Sequence, residues 1–242
     1  MMARTVLAFL ACLAGPAFAE TVQLPCRPPV GQPFTIIHEQ QTWSGAGVPS
    51  RITIRRAVRF EAAVAETVIV LGPAQATTDL TGAEAKRFAL LYAPGGEQEA
   101  RMRLDASGQI VAIDGLDRHW RNYLARLEKL AAVVEADGAA AARTRTMLAA
   151  LAKADEATRI AAIDGEIVPF LRLCGQSVDG TAAPDGTLLV TEHDQSAAAT
   201  AETSYRVARA SGFIMTIERR LTPAAQRDRP LVEHWRLEPL AP

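Results

Sequence analysis

Arg51-Ile52-Thr53-Ile54-Arg55-Arg56-Ala57-Val58-Arg59-Phe60-Glu61 sets the pattern by which the rest of the chain is read. Ile52, Ile54, Val58 and Phe60 fall on one side of an extended backbone. Arg51, Thr53, Arg55, Arg59 and Glu61 fall on the other. That period of two predicts a strand with one buried and one wet face. Arg56 breaks the buried series, and a bulge is the expected reason. Val64 to Leu71 reads as the returning strand, and Phe34 to Trp43 as the preceding one, ending at the turn Ser44-Gly45-Ala46-Gly47.

Moving outward, Thr81-Gly82-Ala83-Glu84 has the spacing of a capping box and predicts a short helix through Tyr92. Ala100, Met102 and Leu104 alternate with charged neighbours, and Asp105-Ala106-Ser107-Gly108 turns that strand into Gln109–Ile113. From Asp114 the period changes to 3.6. Leu116, Trp120, Tyr123, Leu124, Leu127, Leu130 and Val134 form one stripe of a long helix that ends at Asp137-Gly138. Trp120, Tyr123, Leu124 and Leu127 are expected to cover the concave side of the sheet. A second, alanine-rich helix follows over 139–153, and a third from Asp155, kinked or divided near Gly165 and Pro169. Strand patterns return at Thr187–Glu192, around Tyr205 and Val207, at Phe213, Met215 and Ile217, and at Leu231, Trp235 and Leu237. The expected class is therefore α+β: a curved antiparallel sheet with a central helical block of about three helices, residues 114–174, inserted between N- and C-terminal strands.

The chain opens with Met1-Met2-Ala3-Arg4, an uncharged apolar run to Ala14, the breaker Gly15-Pro16, and Ala17-Phe18-Ala19. This is the order of a secretory signal peptide over 1–19, cleaved between Ala19 and Glu20. The apolar run is much shorter than the about 20 residues a membrane anchor needs, and no later segment is long and apolar enough to span. Phe9-Leu10-Ala11-Cys12 is a poor lipidation box, because an aromatic stands where a small aliphatic residue belongs. Residues 20–32, with Pro25, Pro28 and Pro29, read as an extended arm, and 33–242 as a single domain. The mature chain is expected in the periplasm, without a membrane span.

Removing the signal leaves two cysteines, Cys26 and Cys174, in an oxidising compartment, and a disulfide between them is the leading reading. Its closed loop of about 150 residues corresponds to about 5 kcal/mol at most in the chain-entropy account. Losing Arg4 takes the formal charge from −1 to −2. A chain so nearly neutral lacks the basic stripe that nucleic-acid binding requires.

Motifs for chemistry are sparse. His38, His119, His193 and His234 show no i, i+4 pair and no H-E-x-x-H, so no metal site is expected. Asp114-Gly115-Leu116-Asp117-Arg118-His119 reads as a helix N-terminus, and Glu192-His193-Asp194 as a solvated strand end. Ser177 lies in Gly-Gln-Ser-Val-Asp-Gly, which fails the G-x-S-x-G elbow and follows a helix instead of a strand. Neither phosphate-loop nor dinucleotide fingerprints occur, so no cofactor is expected. Arg51, Arg55, Arg59, Arg101 and Arg103 could attract anionic lipid or polysaccharide, or be a plain outer face balanced by Glu61 and Glu99.

The hairpin Arg103-Leu104-Asp105-Ala106-Ser107-Gly108-Gln109-Ile110, the helical block after it and the strands of Tyr205–Leu240 resemble a family of uncharacterised exported proteins of Gram-negative bacteria. More loosely, the arrangement is similar to the periplasmic lipoprotein-carrier architecture, a curved antiparallel sheet wrapped on helices; that likeness is one of fold and implies no site residue. The resulting expectation is a non-catalytic periplasmic binding or interaction module that holds an apolar ligand or a lipidated partner between sheet and helices. The alternatives are a periplasmic hydrolase using Ser177 or a histidine, and a structural cell-envelope protein with no small ligand.

Overall fold

The computed structural model describes residues 19–43, 47–63, 66–91, 99–134, 138–163 and 165–240. The first part of the chain forms β1 (Ala19–Gln23), β2 (Pro33–Trp43), β3 (Pro49–Ala63), β4 (Glu66–Thr78), α1 (Gly82–Leu91), β5 (Ala100–Leu104) and β6 (Ile110–Ile113). Then come α2 (Leu116–Val134), α3 (Gly138–Leu151), α4 (Glu156–Ile163) and α5 (Val168–Leu171). The last part is β7 (Ser177–Ala182), β8 (Thr187–Gln195), β9 (Ala199–Ala208), β10 (Ile214–Pro223) and β11 (Leu231–Pro239). Except for Ala19, the expected signal peptide lies outside the described residues, as do the turn at 44–46 and residues 92–98.

All eleven strands join one antiparallel sheet in the order β1-β7-β8-β9-β10-β11-β2-β3-β4-β5-β6. The expectation of a central helical block set between two groups of strands is thereby overturned. The body of the protein is the sheet, and the helices are additions to it. Alternation understated the strands because several bury residues on both faces. Ile36, Ile37 and His38 are consecutive and all buried, as are Ile69, Val70 and Leu71. On the outer face Val70 lies in register between Arg59 and Arg101, so long arginine stems flank an apolar residue there.

The long helix also has a different task from the one expected. α2 packs against α1, α3 and α4. Its buried Trp120, Leu127 and Ala131 lie outside the cluster that fills the sheet, and Tyr123 stacks on Trp120 at 5.3 Å. The sheet is filled instead by the short stretch around α5, which packs on β10. Ile167 and Phe170 are 0% exposed, and Leu171, Leu173 and Cys174 are buried with them in the main core. Pro169 sits in the first turn of α5, where its missing N–H costs nothing, and it separates α5 from α4 as the sequence suggests.

Three strand steps separate β3 from β10, about 14 Å in a flat sheet. Yet the rings of Phe60 and Phe213 meet edge to face at 5.0 Å, so the sheet curves strongly around its core. Arg56 helps fix that curvature. Between the pairs Arg56↔Ala74 and Val58↔Leu71, β3 advances two residues and β4 three. The bulge therefore belongs to β4, at Gly72-Pro73, while Arg56 stays on the buried face. Its Nε donates to the Gly72 carbonyl at 2.5 Å and its Nη1 reaches Glu166 Oε2, just before α5, at 3.2 Å.

Ala19 of the expected signal peptide and Glu20–Gln23 of the expected arm form a strand on β7, and Leu24 is buried where the arm leaves it. Cys26 and Cys174 form a disulfide with a Cα–Cα distance of 4.6 Å. The β5–β6 turn rests on this bridge. Gly108, at φ +87°, has no room for a side chain, since a Cβ would stand 2.7 Å from Cys26 Sγ and 2.9 Å from Cys174 Cβ. The two ends of the sheet thus approach each other at the disulfide.

Phe170→Ala should cost about 3–5 kcal/mol by chemical denaturation, and Leu124→Ala clearly less, because only the first leaves a cavity inside the sheet. Gly108→Ala should destabilise by about 1–3 kcal/mol through overpacking on the disulfide and a left-handed backbone, measured the same way under oxidising conditions.

Candidate functional site: a charged-rim cleft between α5 and the sheet

Register on the inner face lines up side chains in rows that cross the strands. One row runs Val190–Tyr205–Ile217–Trp235–His38–Ile54 over β8, β9, β10, β11, β2 and β3. The next row toward the β8 C-terminus runs Glu192–Thr203–Arg219–Glu233–Gln40–Ile52. The first is mostly apolar and the second mostly polar. α5 faces both with Val168, Pro169 and Arg172, leaving a cleft of about 520 Å³. Its floor is Ile217, Trp235 and the Tyr205 ring, and its rim is Arg172, Glu192, Asp194, Arg219 and Glu233.

Apart from Asp194, the charges on the rim are paired. Glu192 accepts from the Tyr205 hydroxyl at 2.9 Å and from Arg172 Nη2 at 2.9 Å. Arg172 also lies over the Tyr205 ring, 6.0 Å from its centroid. Burial first, and the bond to Glu192 second, push the Tyr205 hydroxyl up to about 12. Glu233 sits between His38 Nε2 at 3.6 Å and Arg219 Nη1 at 3.5 Å. His38 first and Arg219 after it hold its carboxyl below the usual range, against the opposing effect of burial. His38 is 8% exposed and lies flat on Trp235, ring centroids 3.5 Å apart and planes 12° apart. Phe170 meets the other ring edge to face at 6.3 Å, linking the cleft floor to the core.

Of the four histidines, His38 alone belongs to this constellation. The signal for it was its phase: His38 continues the inward series of Phe34 and Ile36. His119 is on α2 beside Arg118, His193 is exposed on β8, and His234 is 3.9 Å from Glu218. Ser177 is exposed on β7 opposite Gln23, and among the described residues no hydrogen bond joins it to a histidine. No group of three metal-binding side chains occurs among the described residues. Asp117 ties α2 to α4 through Arg159 at 2.7 Å, which is the structural role of a helix N-terminus.

Two arginines of the outer face, Arg59 and Arg101, are neutralised. Arg59 reaches Glu61 and Glu99, and Arg101 reaches Glu61, Glu99 and Asp114. Hydrogen bonds from Arg59 and then Arg101 hold the Glu61 carboxyl below its usual range. Among the described residues no helix is long and apolar enough to cross a membrane. The chain matches no family model and no curated protein.

The two shifted groups of the cleft act on opposite limbs of the stability profile. The lowered Glu233 value gives stability that is present above the unfolded carboxylate pKa of about 4.3 and is lost as pH falls through the folded value. The raised Tyr205 value gives stability that is complete below about 10 and is lost as pH rises toward about 12. Ultraviolet titration of the folded protein should show a tyrosine that ionises late and vanishes in Tyr205→Phe. Glu233→Gln should flatten the acid limb of a denaturation series.

Proposed function

We propose that this protein is a non-catalytic binding module of the periplasm, holding an amphiphile in the cleft between α5 and β8–β11. The cleft supports this reading because it offers an apolar floor beside a charged row two residues further along the same strands. An apolar chain, either a free ligand or the lipid of a modified partner, would lie on Ile217, Trp235, Val168 and Pro169. Its polar end would meet Arg172, Glu192, Arg219 and Glu233. A volume of about 520 Å³ falls within the range of about 300–1,000 Å³ usual for small-molecule sites. The disulfide suits an oxidising compartment, and the leading Arg4, apolar run and Ala17-Phe18-Ala19 supply the route there. Cleavage after Ala19 would leave Glu20 to Gln23 to complete β1 and keep the 2.6 Å pair between Glu20 and Arg209.

Native mass spectrometry of protein isolated from the periplasm should show a chain beginning at Glu20 with an amphiphile bound. Val168→Asp puts a charge on the cleft wall at a residue that is 41% exposed, so the fold should survive. Affinity for the retained amphiphile should fall at least about tenfold, because a charge would face the apolar chain. Ligand-free protein, or binding indifferent to that substitution, would sink the proposal.

A further inference from the structure

β8 is paired very unevenly on its two sides. Every residue from Thr187 to Gln195 pairs with β9, but β7 pairs only with Leu188 and Leu189. From Val190 to Gln195 the other edge of β8 pairs with no strand among the described residues. Thr191, His193, Asp194 and Gln195 are exposed. An edge of this length leaves the N–H and C=O groups of alternate residues without a ladder partner, which is a template for another extended chain.

The side chains on that edge say what kind of chain fits. Glu192 and Asp194 both point to the cleft side, beyond the apolar Val190. Two copies of β8 pairing antiparallel would set Glu192 and Asp194 of one against those of the other, and like charges directly opposite destabilise a strand pair. A second copy of this chain is thereby disfavoured, and a cationic strand is favoured. We propose that β8 captures an extended polypeptide segment by strand addition, with basic side chains opposite Asp194 and Glu192 and an apolar one opposite Val190. Glu192 already carries Arg172 and Tyr205, so Asp194, which has no ion pair among the described residues, is the stronger determinant. This surface borders the cleft but does not depend on what the cleft holds.

The probe is the synthetic peptide acetyl-Thr-Lys-Thr-Lys-Thr-Val-amide, written to lie antiparallel to β8 from Gln195 back to Val190, titrated into the full chain and followed by amide NMR and hydrogen exchange. Alternate amides within Val190–Gln195 should shift and gain protection. Asp194→Lys, an exposed change that the fold tolerates, should weaken the peptide about fivefold, in line with one cross-strand charge pair. A peptide with glutamate in place of the one lysine opposite Asp194 should bind the natural chain more weakly and regain affinity on Asp194→Lys. Val168→Asp should leave peptide binding unchanged, so a failure of the cleft reading and a failure of this one are told apart. The proposal is overturned if no peptide binds, which would make the two carboxylates mere guards of the edge. It is equally overturned if binding gives no protection at Val190–Gln195, or if that edge is already protected in a concentration-dependent dimer.

Discussion

The fold rests on the filling of a bent sheet by a very short piece of chain. Ile167, Phe170, Leu171, Leu173 and Cys174 enter the concave side together, and the Phe60, Phe213 and Trp235 rings close around them. An isolated four-residue helix has no stability of its own, so this segment must be held from outside. Three attachments do so: the disulfide to Cys26, the Glu166 pair with buried Arg56, and Pro169, which pre-sets the backbone of the first turn. Each acts at a different point of the segment. Sheet curvature and segment placement are consequently one problem, because the same Arg56 also engages the Gly72 carbonyl exposed by the β4 bulge.

Much of this was readable from residues, though unevenly. The hairpins announced themselves, since Asp105-Ala106-Ser107-Gly108 and the alternation of β3 are local signals. The Asp105 carboxylate accepts from the Ser107 and Gln109 amides, which is the chemistry that makes such a turn readable. The cysteine pairing followed from the count of two left once residues 1–19 are read as a signal peptide. Helix α2 misled because a strong stripe says only that a helix is covered, not by what. Its cover is other helices, whereas the true filler of the sheet is too short to show any period. The cleft was invisible for another reason. Its rows join residues from β2 and from the C-terminal strands, and only cross-strand register brings His38 beside Trp235 or Arg219 beside Glu233.

The inner face makes an abrupt transition from apolar to charged within one side-chain step along the strands. Such a boundary is stable because these charges are met: Glu192 by Tyr205 and Arg172, Glu233 by His38 and Arg219. Unmet, charges so near a core would carry a heavy desolvation cost. Apart from Asp194, the rim charges thus form two paired clusters, and the Trp235 indole serves both as the floor of the cleft and as a wall of the hydrophobic interior.

Strand order has a consequence for how the molecule comes together in time. β11, the final strand in chain order, occupies an interior place between β10 and β2. Before it docks, β2–β6 and β7–β10 are two separate stacks of hairpins, each able to form from neighbouring segments. Their joining requires contacts such as Trp235 with His38 that span nearly the whole chain, and contacts of that range are slow to form. The strand junction of longest sequence range therefore lies in the middle of the sheet, under the floor of the cleft.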